Sequence, residues 1–359
     1  MSHLTKEMQI ENIKQLAASC GLSIELRTDK RDLWSSTLTR CFYIPFMYTN
    51  ASIEFQRAYQ RGHGGDWQDL SFLIYLDKQP VAVWPLSVGN KDGKVILSSH
   101  GLPILPPLFV VGYSISTYKR MIKSCLNFAD TIAQSKGLAY WECAQSFHDE
   151  KGLSPWHGES MSRGAICSIH HELFLDLRLS MSEIKSHLRK SYKPLITAGM
   201  RLWNVDILNT ANTIIWNEFR ELHYRVAERK TRSDETWALH LQDISAQQAF
   251  LIYLRDNNGK MIGGGFFNTT RDEGLYAVAA YDRLHFDKPL GHVVQYKAIE
   301  ELKNRGLRWY KIGIRSYGTD TPAPSDKEIS ISEFKQGFSS HLFPRFILRY
   351  PIKQKSHSS

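Results

Sequence analysis

The sequence predicts an α/β chain made of two copies of one unit, each with a mixed, largely antiparallel sheet. Three observations carry this. Phe72-Leu-Ile-Tyr-Leu76 recurs residue for residue as Phe250-Leu-Ile-Tyr-Leu254. Lys136-Gly-Leu-Ala-Tyr-Trp141 is echoed, in the same order, by Arg305-Gly-Leu-Arg-Trp-Tyr310, and each closes a helical stretch and opens a strand. Two ordered matches mark an internal duplication. The chain also has room for it: 359 residues, 42% hydrophobic and 12% aromatic, allow two domains with a core each. The predicted domains are 1–170 and 171–359.

In the first copy, residues 1–25 read as an amphipathic helix with Met8, Ile10, Ile13 and Leu16 on one face and Gly21 at its end. A short helix and an aromatic loop, Cys41-Phe-Tyr-Ile-Pro-Phe-Met-Tyr48, fill 29–48, and 52–61 is a further helix. Gly62-His-Gly-Gly65 lacks the flanking strand and the lysine of a phosphate-cradling loop, so a turn is the simpler reading. Strands follow at 72–76 and 80–88. The apolar stretch at 103–113 is broken by prolines and shorter than the ~18 residues a membrane helix needs.

In the second copy a strand is expected at 173–179. A basic helix over 182–200 follows, capped by Ser182 and kinked or broken by Pro194. Amphipathic helices cover 214–229 and 232–244. Strands 250–254 and 261–267 form a hairpin on Asp256-Asn-Asn-Gly259. The chain turns at Asp272-Glu-Gly274 into a strand at 275–281. Lys288-Pro-Leu-Gly-His292 then opens a helix over 293–305, closed by Gly306, and a strand at 309–313 completes the unit. The polar, basic tail at 351–359 is expected to fray.

Three antiparallel strands, a helix with a glycine at its entrance and a closing strand resemble the core of an acyl-CoA N-acyltransferase (GNAT) domain. Ile331-Ser-Glu-Phe-Lys-Gln-Gly-Phe338 resembles the F-K-x-G-F segment of the FemAB/FemX-type aminoacyltransferases, which carry two GNAT-like domains in tandem. Ala227-Glu-Arg-Lys-Thr-Arg-Ser-Asp-Glu-Thr-Trp237 is similar to a segment of FemAB-like proteins associated with bacterial surface polysaccharides. The resemblance covers 25–350 and implies a tandem-GNAT acyltransferase of the cell-envelope type.

Several residues become site candidates. Lys288 and Gly291 match in type the R/Q-x-x-G-x-G/A turn with which GNAT enzymes grip the CoA pyrophosphate, but His292 is followed by Val293 rather than a small residue. The turn fits a donor site or an ordinary helix start. Where the second copy has this turn, the first has Leu102-Pro-Ile-Leu-Pro-Pro-Leu-Phe109. Proline removes N–H donors that a phosphate would use, so the first copy is expected to be degenerate for donor binding and to serve the acceptor.

By resemblance, a backbone N–H of the strand carrying Val278, Ala279 and Ala280 polarises the acyl carbonyl, and small side chains let the donor approach; a buried central strand explains them equally well. Tyr281 and Asp282 stand where that strand leaves the core, a place for a general acid or base. In FemX-type enzymes the lysine equivalent to Lys335 helps stabilise the transfer intermediate and the residue equivalent to Phe334 shapes the pocket. A fixed ammonium beside a developing oxyanion is a sound electrostatic catalyst; the alternative is a surface lysine on a turn. Arg189, Lys193, Arg229 and Arg232 could hold substrate phosphates or simply form a solvated face.

His148, His157, His170, His171 and His223 show no metal-ligand spacing, and no metal site is expected. Five scattered cysteines without a C-x-x-C pair suggest neither zinc ribbon nor disulfide framework.

The expected activity is transfer of an acyl group from acyl-CoA to a free amine of a cell-envelope or surface-polysaccharide precursor, an amino sugar or a peptide. Acyl-CoA is then a co-substrate and no cofactor is tightly bound. Two alternatives stay open: a FemX-type aminoacyltransferase using aminoacyl-tRNA on a peptidoglycan precursor, and a non-catalytic binder of anionic ligands or glycans on a decayed GNAT scaffold. The net charge of +9 favours an anionic partner and admits peripheral contact with an acidic membrane surface. With no signal-peptide pattern and no apolar span, the expected location is cytoplasmic, the inner face of the membrane included.

Overall fold

The computed structural model describes residues 9–65, 67–91, 93–146 and 152–352. Met8, His148 and the tail beyond Ile352 lie outside the described residues. The chain divides into two compact units, 1–169 with 344–359, and 170–343. The expected second domain therefore gives up its end: residues 344–359 belong to the first unit. There Arg345 lies opposite Ser146 and Pro351 opposite Tyr140, antiparallel. The alternation of Phe346, Leu348 and Tyr350 drives this pairing, because Leu348 and Tyr350 complete the first core. Tyr350 stacks on Trp141 with ring centroids 3.7 Å apart. Alternation reveals a strand but not its partner.

The first unit's main sheet runs Ser23–Leu26, Phe72–Leu76, Gln79–Trp84, Leu108–Phe109. The opening strand lies within the stretch predicted as one helix. That helix covers only Ile10–Ser19; Gly21, at φ +79°, turns the chain, and the alternating Ser23-Ile-Glu-Leu26 pairs with Phe72–Leu76. The helix Ile115–Ser135 buries Met121, Cys125, Leu126, Phe128 and Ile132 in the first core. Ser114 caps it by accepting from the Thr117 N–H. A smaller sheet contains Trp67–Asp69, Ser87–Lys91 and Lys94–Ser98, with the last at its edge.

In the second unit Asn204–Leu208, Ala249–Arg255, Met261–Thr269 and Glu273–Tyr281 follow one another antiparallel. Trp309–Arg315 then joins parallel to the last of these, and Ile166–Asp176 pairs antiparallel with it through residues 171–176. The helix Leu290–Asn304 covers one face, packing Val293, Val294, Ile299 and Leu302 with Phe250, Ile252 and Phe267. Helices Thr213–Ala227 and Asp234–Ser245 cover the other, with Trp216, Phe219 and Trp237 against Leu251 and Phe266. Gly264 and Gly265 allow this double cover: a Cβ at 264 would sit 3.1 Å from Phe219, and one at 265 would sit 2.8 Å from Val294.

The basic helix expected over 182–200 is two helices, Met181–His187 and Tyr192–Leu202. The break precedes Pro194, which sits in the first turn of the second helix, where a missing N–H costs little. Ser180 rather than Ser182 is the cap, in a reciprocal capping box with Glu183. Among the described residues no helix is long and apolar enough to cross a membrane.

Candidate active site

The site begins where two parallel strands of the second unit part. Glu273–Tyr281 and Trp309–Arg315 share three pairs: Glu273 with Trp309, Gly274 with Tyr310 and Leu275 with Lys311. Beyond Leu275 the first strand keeps its neighbour Met261–Thr269, out to Tyr281 opposite Gly263. On its other edge residues 276–281 have no strand partner among the described residues. A β-bulge between Phe266 and Phe267, with Tyr276 and Val278 opposite them, marks the point of divergence. Backbone polar groups on that edge are left for a side chain or a ligand.

The helix Asp326–Gln336 packs beside Trp309–Arg315 and carries the F-K-x-G-F segment at its end, in a helical last turn rather than an isolated turn. Its residues divide the work. Lys335 spans the divergence: its Nζ lies 5.2 Å from the Tyr276 ring centre on one strand and 2.9 Å from where a Cβ on Gly313 would stand on the other. Gly313 has φ +149°, so a side chain there would be strained as well as crowded. Phe334 reaches the start of the Leu290–Asn304 helix, its Cζ 3.0 Å from a Cβ built on Gly291. Gly337 leaves room for the Tyr192 ring, which a Cβ would overlap. Phe338 is fully buried, 4.9 Å from the Tyr192 ring.

Tyr192 ties the cluster together. Its hydroxyl donates to the Phe334 carbonyl at 3.1 Å, and its ring meets His292 edge-on at 4.5 Å. Arg189 lies over that ring and donates to the Glu333 carbonyl at 3.0 Å. Deeper in the site, the Tyr276 and Tyr281 hydroxyls are 3.1 Å apart, and Tyr310 donates to Gln295 Oε1 at 2.5 Å.

Electrostatics follow from burial. Burial pushes the Tyr281 and Tyr310 phenols far up and raises Tyr276, so all three are neutral hydroxyls. Burial lowers the Lys335 ammonium, with no compensating acid: among the described residues no carboxylate lies within ion-pair distance. Burial, helped by the Arg189 charge, takes His292 down to about 4. The Leu290–Asn304 helix begins at Pro289 with no side-chain cap. The Leu290 N–H donates to the Lys288 carbonyl at 2.9 Å, and the N–H groups that follow it, with the positive end of the dipole, have no side-chain cap beside Gly291.

The structure gathers Lys335, Phe334, Tyr281, Gly291, His292 and Arg189. The other candidates lie elsewhere. The Val278 and Ala280 side chains belong to the core under Trp216 and Phe219, on the far face of the sheet; Ala279 alternates with them. Asp282 caps the next turn by accepting from the Leu284 N–H, 3.5 Å from Arg225 and 3.7 Å from Lys260. Lys288 lies over the Trp203 ring and Arg232 over the Trp237 ring. Lys193 and Arg229 are exposed. Sequence reasoning missed Tyr192, Gln295, Tyr310 and Gly313. Only the last gave a signal, a glycine inside a strand, which marks a bulge or close approach.

Among the described residues no His, Cys, Asp and Glu side chains cluster as metal ligands. No family model matches the chain, and no curated protein matches its sequence. Solved structures do. "Crystal structure of FemX" superposes with a TM-score of 0.67 at 11% identity, over 90% of this chain and 96% of that one. The chain has a FemX-like fold. L-PGS from Bacillus licheniformis follows with a TM-score of 0.52 at 12% identity, over 99% of this chain and 96% of that one. A conserved protein of unknown function from Bacteroides thetaiotaomicron VPI-5482 gives 0.58 at 8% identity, over 92% and 99%. Identities this low establish the FemX-like fold and nothing finer.

Proposed function

We propose that this chain is an acyltransferase that moves an acyl or aminoacyl group onto a free amine of a cell-envelope or surface-polysaccharide precursor. One observation carries the reading: a half-buried ammonium with no carboxylate within ion-pair distance among the described residues, Lys335, stands between a strand edge lacking a partner and the cluster around a helix start without a side-chain cap. Positive potential with no internal counter-charge suits a reaction that builds negative charge.

In this reading the amine nitrogen attacks the activated carbonyl carbon. A C–N bond forms and the carbonyl oxygen takes the negative charge, held by Lys335 and by backbone N–H groups of residues 276–281. The tetrahedral species then expels a thiolate or an alkoxide. The amine's proton goes to that leaving group, directly or through the Tyr281–Tyr276 hydroxyl pair. His292, with its pKa near 4, is too weak a base for the task, and Asp282 is occupied as a cap. No nucleophilic side chain is needed.

Acyl-CoA is the first donor to test, its pyrophosphate on the open helix start at Gly291. Aminoacyl-tRNA is the second, and one observation favours it: the Phe334 ring covers Gly291, its Cζ 3.0 Å from where a Cβ on that glycine would stand, where a pyrophosphate would need close approach. Calorimetry of the full chain against acyl-CoAs, charged tRNA and uncharged tRNA at two salt concentrations tests both. Acyl-CoA binding that Gly291→Val abolishes supports the first. Preference for charged tRNA, with steep salt dependence, supports the second. Binding of neither donor overturns the transferase reading in favour of a non-catalytic binder.

A further inference from the structure

The first unit carries a surface patch that the transferase reading leaves unused. From Gly93 to Ala129 the sequence has no aspartate or glutamate, yet it sets Lys119, Arg120 and Lys123 close together. The same stretch exposes two aliphatic side chains, Val111 at 53% and Ile115 at 68%. We propose that this patch docks the protein on an acidic lipid surface, with Val111 and Ile115 entering the interface and the cations meeting the headgroups.

The local structure explains why both sets face outward. Val110 is buried and its N–H donates to the Val81 carbonyl, so alternation sends Val111 to the surface. Gly112, at φ +103°, then turns the chain toward the helix Ile115–Ser135, which begins with Ile115. That helix spends Met121, Ile122, Cys125 and Leu126 on the core. Lys119, Arg120 and Lys123 recur at three- and four-residue spacing on its exposed side. Their charges are not spent internally. Among the described residues no carboxylate lies within ion-pair distance of Lys119, Arg120 or Arg40, whose carbonyl accepts from the Val111 N–H at 3.2 Å. Lys123 has Glu159 at 3.9 Å, and the neighbouring Arg163 is matched by Asp130 at 3.6 Å. The patch therefore keeps an excess of positive charge.

A second copy of the chain fits this surface badly. A two-fold contact would set the patch, cations included, against itself. Two aliphatic side chains also fall far short of the roughly 1,200–2,000 Å² that a stable protein interface buries. RNA fits little better. It would use the cations, but its bases need exposed rings on which to stack. Tyr113 and Tyr118 are half-buried against each other, and the Tyr118 hydroxyl donates to the Val110 carbonyl at 2.7 Å. Val111 and Ile115 would stay in water on RNA. An acidic bilayer surface uses both sets: aliphatic side chains enter the interfacial region, and each lysine or arginine near it is drawn to the anionic headgroups.

The test is cosedimentation of the full chain with vesicles of phosphatidylcholine alone or with about one-third phosphatidylglycerol. Binding to the acidic vesicles should be at least tenfold stronger than to the neutral ones and should weaken as salt is raised. Lys119→Glu with Arg120→Glu should weaken it at least tenfold. Val111→Ser with Ile115→Ser should weaken it about tenfold, with thermal unfolding unchanged because both side chains stand in water. Leu284→Ser with Phe286→Ser removes an exposed apolar pair of the second unit, at 81% and 63%, and should bind as the wild type does. No binding to acidic vesicles, or binding unmoved by the Val111 and Ile115 changes, overturns the proposal. So does a larger loss from the Leu284 and Phe286 changes than from those two. A dimer in sedimentation that Val111→Ser with Ile115→Ser dissolves would make the patch a contact between copies instead. Single-stranded RNA that displaces the vesicles, and binds the same variant undiminished, would make it a nucleic-acid site. None of these results bears on the transferase reading, which rests on residues of the second unit.

Discussion

Each unit draws a positive charge out of water, fully at Arg27 and partly at Lys335, and the two surround it in opposite ways. Arg27 in the first unit is fully buried and surrounded: it donates to Asp69 at 2.6 Å, Glu54 at 2.8 Å and Asn50 at 2.9 Å. Asp69 in turn accepts from the Ser71 N–H and lies 3.4 Å from His100. Lys335 in the second unit has an aromatic ring, a strand glycine and, among the described residues, no acid within ion-pair distance. A buried pair is a structural solution, since each charge neutralises the other. A buried charge left alone costs stability in the resting protein and is useful when something anionic arrives or forms beside it. The same contrast holds at the helices that cover the two sheets. Ser114 caps the start of one with its side chain; at Pro289 no side chain caps the start of the other.

The largest expected effect comes from breaking the paired charge. Arg27→Met takes the closest cation from the buried Asp69 carboxylate, leaving Arg57 at 3.9 Å and His100 at 3.4 Å, and should cost about 3 kcal/mol, read as a shift in the denaturant midpoint. A cost below 1 kcal/mol would mean that the network contributes no more than a surface pair.

Lys335→Met should behave in the reverse manner. Stability should hold or rise slightly, while transfer to the amine falls by about 10²–10³ in kcat, as for loss of one oxyanion donor. The pH dependence sharpens this. Lys335 has a folded-state pKa below its unfolded value, so above the depressed pKa the unfolded chain binds a proton that the folded chain has released. Wild-type stability therefore rises relative to Lys335→Met as pH climbs toward the ordinary lysine range. A gap constant with pH would show that Lys335 is not held in a desolvating site.

Gly337→Ala tests how the site is assembled. Its Cβ would overlap Tyr192, which cannot move without disturbing His292, Phe334 and Phe338. Overpacking of this kind costs about 1–3 kcal/mol. Thermal unfolding gives the cost, and activity should fall with it because Lys335 rides on the same helix. Gly274, beside Leu302, serves as a control: an alanine there should lower stability without touching the site cluster.

These positions also show what could be read from sequence. The repeated Phe-Leu-Ile-Tyr-Leu strand and the hairpin at Asp256–Gly259 follow from local chemistry and appear where that chemistry puts them. Lys335 and Phe334 were legible as a motif. Why the motif has its spacing was not. Phe334 answers to Gly291, Lys335 to Gly313 and Gly337 to Tyr192, and all three partners are distant in sequence. Which side chains of 278–280 face the site was hidden for a related reason: a strand's two faces are equivalent in sequence until its covering helices are known, and the helices on both faces here pack apolar residues. The partner of strand His341–Pro351 was hidden in the same way, because pairing across the length of the chain has no local signal.

The smallest effects separate the two helix starts. Ser114→Ala removes a cap and should cost about 1 kcal/mol of stability. Gly291→Ala gains helix propensity of roughly 0.5–1 kcal/mol, but its Cβ must displace Phe334 by a few tenths of an ångström. The two contributions oppose, so thermal unfolding should barely change, whereas donor affinity should drop because Phe334 is pushed into the space the donor would use. Measured together by calorimetry and thermal melts, Ser114→Ala should move stability alone and Gly291→Ala affinity alone. The opposite outcome would exchange the roles of the two helices and place the donor in the first unit, where the helix start carries its own cap.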